Sequence, residues 1–244
     1  MGDAWIVCIG MVDLASALTG EEEMHAILPD DSLLLTSRVL NSNHISMAAL
    51  GDMQQDMVRT AGTIVPEEHV DVMIYYCTSG TIAMGEDVVR NYLRTLHPEA
   101  LVSNPFTAAV TAFQSMAIKN LALLTPYTLE VTDAMRKEFV KKGLNIVHTT
   151  AYDLKLDSEI CQVARDDIFR SAIEKDLSDV DALFISCTGL RVVSLIEKIE
   201  AHIGTPVVTS NQAMAWHALS QANYPTPVPG FGKLMDTLPI VHAL

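Results

Sequence analysis

Cys77 and Cys187 are the residues of this chain whose type and spacing could do chemistry. The stretch Val70-Asp71-Val72-Met73-Ile74-Tyr75-Tyr76-Cys77-Thr78 matches Val180-Asp181-Ala182-Leu183-Phe184-Ile185-Ser186-Cys187-Thr188, with Val, Asp, Cys and Thr coinciding. Thr78-Ser79-Gly80-Thr81 follows one cysteine and Thr188-Gly189-Leu190 the other. The apolar run before each cysteine reads as a buried strand, and a helix is expected after each turn. In open α/β sheets the ligand crevice lies outside the carboxyl ends of the strands. The free N–H groups and positive dipole end of a helix bind anions and lower a thiol's pKa. Halves facing each other across a pseudo-twofold axis would put the two thiols on opposite sides of one cleft. Such a pair can move protons, or add to a substrate, without a cofactor. A free cysteine is more often a buried small hydrophobe, but matched positions with small, hydroxyl-bearing turns weigh against that here. Cys8, inside an apolar run, and Cys161, in a helical stretch with no such turn, read as structural.

The elements that must position the pair follow from hydrophobic patterning. Short apolar runs recur at Trp5–Ile9, Ser32–Leu35, Val70–Tyr76, Leu121–Leu124, Leu144–Val147, Ala182–Ile185 and Val207–Thr209. They are mostly unbroken, as strands buried on both faces should be. Helical spacing lies between them, as in Ala108, Ala109, Ala112, Phe113, Met116 and Ala117. Val102-Ser103-Asn104-Pro105 and Thr209-Ser210-Asn211-Gln212 both end a strand and open a helix. The fold class is α/β, two pseudo-symmetric halves, each a parallel sheet flanked by helices. The first half is expected over residues 1–105 plus 213–244 and the second over 106–212. The Pro/Gly-rich tail Tyr224–Gly232 is expected to wrap on the first half. Asp71 and Asp181 are expected to anchor turns, and His217 to be a packed helix residue.

Composition bounds the function. The chain has 244 residues, 49% of them hydrophobic, and a net charge of −14, so it is globular. The acidic balance argues against nucleic acid and anionic membrane surfaces. No apolar run approaches the ~20 residues of a spanning helix. Met1–Ile6 lacks a basic segment, so no signal peptide is expected. Four cysteines with no C-x-x-C pair argue against a disulfide framework and a zinc site, and fit a reducing cytoplasm. Gly230-Phe231-Gly232 does not sit between strand and helix, so it is no dinucleotide fingerprint, and no Walker loop, H-E-x-x-H or nucleophile elbow is present. Arg38 and Lys155, in strand-end loops, read as solvated surface charges. A homodimer is left open.

The ordered set Cys77-Thr78-Ser79-Gly80, Thr125-Pro126-Tyr127, Ser186-Cys187-Thr188-Gly189-Leu190, Gly204-Thr205-Pro206-Val207-Val208-Thr209-Ser210 and Gly230-Phe231-Gly232-Lys233-Leu234 resembles the aspartate/glutamate racemase superfamily, in the branch of maleate cis-trans isomerases and arylmalonate decarboxylases. The resemblance implies two Rossmann-like halves, no metal or organic cofactor, and a small carboxylate substrate. It implies catalytic roles for Cys77 and Cys187. Tyr127, Thr78, Ser79, Thr188 and Gly189 would bind carboxylate or enolate oxygens. The decarboxylases carry glycine where Cys77 stands, so two cysteines resemble the isomerases and racemases. An amino-acid-type racemase, such as one tied to ectoine breakdown, an arylmalonate-type decarboxylase and a non-catalytic carboxylate-binding protein are the alternatives. The isomerases have asparagines in the loops after strand one and after the strand ending near Thr150. Here those loops read Met11-Val12-Asp13-Leu14-Ala15-Ser16 and Ala151-Tyr152-Asp153-Leu154-Lys155, so Asp13 is expected to repel a dicarboxylate. A catalytic Cys77 is expected to alkylate quickly near neutral pH; two thiols titrating near 8.5 or higher would favour a binding or packing role.

Overall fold

The computed structural model describes residues 5–238. Met1–Ala4, part of the segment on which the lack of a signal peptide was read, and residues 239–244, the end of the tail assigned to the first half, lie outside it. The described chain holds two four-stranded sheets, every pairing parallel, in the same order. The first contains β1 (Val7–Leu14), β2 (Ser32–Val39), β3 (Val72–Tyr75) and β4 (Leu101–Ser103), ordered β2-β1-β3-β4; the second contains β5 (Asn120–Thr125), β6 (Asn145–Ala151), β7 (Ala182–Ile185) and β8 (Val207–Thr209), ordered β6-β5-β7-β8.

The helices of the first half are α1 (Gly20–Ile27), α2 (Met47–Gly51), α3 (Gln54–Ala61), α4 (Thr78–Met84) and α5 (Glu86–Leu96). Then α6 (Pro105–Ser115) leaves β4 for the second sheet, which carries α7 (Leu129–Lys141), α8 (Asp157–Ile160), α9 (Arg165–Ile173) and α10 (Ile196–Ile203), before α11 (Ser210–Gln221) leaves β8. The duplication read from the sequence is visible in the staples between strands. Asp71 Oδ2 accepts the N–H of Cys8 at 2.7 Å, tying the start of β3 to β1. Its counterpart Asp181 Oδ2 accepts from Lys119 and Asn120, tying β7 to β5.

Helices α6 and α11 pack against each other where the halves meet. Their starts are set by capping. Asn104 Oδ1 accepts the Thr107 N–H at 2.8 Å, with Pro105 in the first turn, where its missing N–H costs nothing. Thr209 and Gln212 form a reciprocal capping box. Almost every residue of α11 is buried, Trp216 and His217 included, because it packs on both halves at once. His217 is a packed residue whose Nδ1 pairs with the Ser103 hydroxyl at 2.6 Å. In the second half, Phe106, Phe113, Phe139 and Phe184 form a buried cluster with centroids 4.9–5.9 Å apart, each ring worth about 1.5–3 kcal/mol of burial.

The structure departs from the patterning in two places. Met11–Leu14 is not a loop but the end of β1, because β2 and β3 flank it and take up its backbone groups. β4 is the short strand expected to end at Val102-Ser103, exposed at its start. The tail does touch the first half, where the Tyr224 hydroxyl donates to Asp31, but it continues onto the second. There Gln212 holds the Phe231 carbonyl, and the Lys233 N–H donates to Glu200 of α10. None of the described helices is long and apolar enough to cross a membrane.

Candidate active site

All seven residues singled out from the sequence, Cys77, Thr78, Ser79, Tyr127, Cys187, Thr188 and Gly189, line one enclosed hollow between the halves. The two cysteine turns are braced across the pseudo-twofold axis by a single hydroxyl. Ser210 Oγ accepts from the Cys187 N–H at 3.0 Å and from the Thr78 hydroxyl at 2.9 Å. A second brace runs the other way, from the Thr188 hydroxyl to the Tyr76 carbonyl at 3.1 Å. Beneath them, the buried Glu23 of α1 accepts the N–H groups of Val192 and Val193 and an amide hydrogen of Asn211. A first-half carboxylate thereby fixes where the chain runs after Cys187.

The turns are related but unequal. Cys77 is the N-cap of α4, its Sγ accepting the Gly80 N–H at 3.2 Å. A side chain at Gly80 would stand 2.3 Å from the Tyr75 hydroxyl and 3.0 Å from the Cys77 sulfur, so only glycine lets the chain pass this close. No helix starts directly after Cys187, contrary to expectation; a turn intervenes before a short 3-10 segment at Val193–Leu195. Cys187 has φ = +106°, a strained value for a side-chain-bearing residue. Its Sγ accepts the Gly189 N–H at 3.3 Å.

The expected lowering of the thiol pKa values is overturned. Burial, and then the Asp157 carboxylate, push Cys77 up to about 11 against the pull of Ser79, the Gly80 N–H and Tyr75. Burial pushes Cys187 higher still, opposed by the Gly189 N–H and the Tyr127 hydroxyl. Desolvation of a buried thiolate outweighs the few N–H dipoles facing it, so both sulfurs rest as neutral thiols. Tyr127 is buried, its hydroxyl sharing a hydrogen bond of 3.3 Å with Ser186.

Ala17, Asp157, Ile160 and Cys161 also line the hollow and are not singled out by the sequence reading. Asp157 sits just beyond the loop searched for an amide, and its Oδ2 accepts from Ser16 and Asn41 at 2.7 and 3.2 Å. Ile160 and Cys161 follow it on and after α8. Cys161 reads as structural from the sequence because no small-residue turn follows it, yet it lines the hollow. It reaches the hollow because α8 ends there, and a side chain at Gly189 would meet its sulfur and that of Cys187 at 3.7 and 3.6 Å. The signal that could have flagged them is the dense polar run Asp153 to Glu159. Arg38 pairs at the surface with Glu21 and the Ala17 carbonyl, and Lys155 is exposed; neither lines the hollow.

A roof closes the site. The segment after β2 meets the segment after β6 through an antiparallel bridge between His44 and Leu156. The Ile45 N–H donates to the Lys155 carbonyl, and the Asp157 N–H to the Asn43 carbonyl, both at 2.9 Å. Beneath it the hollow has a cavity volume of about 20 Å³. That is room for one or two waters.

The chain has counterparts among known proteins. Maleate isomerase from Nocardia farcinica is 27% identical over 241 residues, covering 93% of this chain and 94% of its own. The structure of a cysteine-to-serine mutant of the Nocardia farcinica maleate cis-trans isomerase, with a covalently bound succinylcysteine intermediate, superposes with a TM-score of 0.87 at 25% identity, over 95% of this chain and 98% of that one. The maleate isomerase of Pseudomonas putida S16, solved as a cysteine-to-alanine mutant with maleate, shares the fold at a TM-score of 0.87 and 22% identity, over 94% and 97% of the two chains. The family model described as arylmalonate decarboxylase matches residues 38–235. That span covers most of the chain and holds both cysteine turns and the whole second sheet, so the chain belongs to the arylmalonate decarboxylase family.

Proposed function

We propose that the protein is a cofactor-independent isomerase of a small carboxylate, working through Cys77 and Cys187 in the manner of a maleate cis-trans isomerase. The observation that carries this reading is the convergence of both thiols, with Tyr127 and the hydroxyls of Thr78, Ser79 and Thr188, on one enclosed hollow. It is supported by the match to maleate isomerase over 93% of the chain. Cys77 sulfur adds to one alkene carbon, and the π electrons move into the conjugated carboxylate. The resulting enediolate oxygens are held by Tyr127, by the hydroxyls, and by the N–H groups at Thr78, Ser79 and Gly189. Cys187 protonates the other carbon and takes up the proton that Cys77 releases. The elements of S–H have then crossed the double bond, and the remaining C–C single bond rotates. Reversal breaks the C–S bond and leaves the trans alkene. Four free, buried cysteines fit a reducing cytoplasm.

The test is a substrate panel of cis-alkene carboxylates, α-amino acids and disubstituted malonates in deuterated water, followed by NMR. The expected result is conversion of a cis alkene to its trans isomer. Deuterium uptake at a saturated α-carbon would mark a racemase instead. Carbon dioxide release, with tolerance of Cys77→Gly, would mark the decarboxylase that the family's description suggests. Any of these in place of the alkene shift overturns the reading.

One observation favours a binding protein: both thiols are held neutral. Alkylation by iodoacetamide separates the two. With Cys77 at about 11, the rate at pH 7 is expected to be slow and to rise about tenfold per pH unit between 7 and 9. A small carboxylate is expected to protect the thiol in either case. Protection with no turnover across the panel leaves only the binding role.

A further inference from the structure

The mechanism leaves two carboxyl groups in the hollow without a task. Asp13, at the end of β1, is 1% exposed and lines the site. Its Oδ1 accepts the Leu14 N–H at 2.8 Å, while Oδ2 is buried and has no partner. Asp157 lines the same hollow from the other half, its carboxylate oriented by Ser16 and Asn41. No Lys, Arg or His is among the lining residues. The cation that acts on Asp13, Arg38, is engaged with Glu21 at the surface.

A buried acceptor without a donor carries its full desolvation penalty. Two carboxyl groups around a hollow with no cation disfavour a second negative charge on the ligand. A dicarboxylate fits the hydroxyl side, where Thr78, Ser79 and Tyr127 stand, but its other end meets acids. A ligand whose other end donates hydrogen bonds answers both facts at once. We propose that the site takes a small unsaturated monocarboxylate whose far end carries an N–H donor, an ammonium or a carboxamide, received by Asp13 and Asp157. This rests on the isomerase reading for the alkene, but the Asp13 and Asp157 assignment stands on binding alone.

Calorimetry with the full-length protein would compare maleate, maleamate and cis-4-aminobut-2-enoate, with NMR reading turnover of each separately. The expected result is at least tenfold tighter binding of the amide or the amine than of maleate. Asp13→Asn is expected to reverse that order, since an amide can donate to a carboxylate. Asp157→Asn, read in the same way, serves if the first variant fails to fold. The amide and amine arms distinguish a neutral from a cationic donor. Wild-type protein that binds maleate as tightly as the other two, or binds none of the three, overturns the proposal. So does a folded Asp13→Asn variant with the original order. Preferential binding of the amide or amine without turnover keeps this inference and removes the isomerase reading; efficient turnover of maleate alone does the reverse.

Discussion

Cys77→Ala and Cys187→Ala are each expected to lower turnover by roughly 10⁴-fold or more, the scale set by removing a nucleophile or its proton partner from a site that acts as a unit. Both variants are expected to keep the far-ultraviolet circular dichroism spectrum of the parent. The fold survives because each loss is local. Cys77→Ala gives up the cap to the Gly80 N–H, worth about 1 kcal/mol, while the Ser210 and Thr188 braces between the turns remain. Cys77→Ala and Cys187→Ser are expected to differ in what they accumulate. Without Cys77 no covalent adduct can form. With Cys187→Ser the addition can occur and its reversal is impaired, so intact-mass spectrometry finds a substrate adduct on that variant alone. Full activity in either alanine variant, or adducts on the Cys77 variant, removes the two-thiol mechanism.

The second large effect is on stability. Burial pushes Asp13 up to about 7 from an ordinary 3.8, helped by Glu21 and Asp157 and opposed by the Leu14 N–H and Arg38. Between those values the folded chain holds a proton that the unfolded chain has released. Stability is therefore fully present below pH 3.8 and is lost as the pH rises towards 7, then levels off. Three pKa units correspond to roughly 4 kcal/mol. Asp13→Asn removes that loss. The variant is expected to match the parent near pH 4 and to exceed it by a few kcal/mol at pH 8, in urea unfolding at each pH. His217, pushed down to about 4 by burial, works in the opposite sense below pH 6.5 in both proteins. Subtracting one curve from the other isolates Asp13. A constant difference across the pH range would show that the carboxyl is not desolvated as described.

Much of this arrangement was legible because duplication writes the same signal twice. Val, Asp, Cys and Thr at matched positions located β3, β7 and the turns after them. Asp71 and Asp181 then proved to be staples at equivalent strand starts. What the residues could not disclose is three-dimensional. The helix expected after Cys187 is replaced by a turn because Glu23, far away in the chain, captures the Val192 and Val193 N–H groups. The thiol pKa values went the other way from expectation because burial is a property of the closed roof, which joins segments with no sequence kinship. Cys161 and Asp157 reach the hollow through that same crossing, and no local pattern announces it.

The positive φ of Cys187 carries an evolutionary consequence. A left-handed backbone costs most side chains about 1 kcal/mol or more, and glycine almost nothing. Once a descendant of this chain no longer needed its second sulfur, mutation to glycine at that one position would be rewarded by thermodynamics. The persistence of a cysteine there is upkeep against a downhill slope, and relics of this lineage that have abandoned their chemistry should betray themselves at residue 187 first.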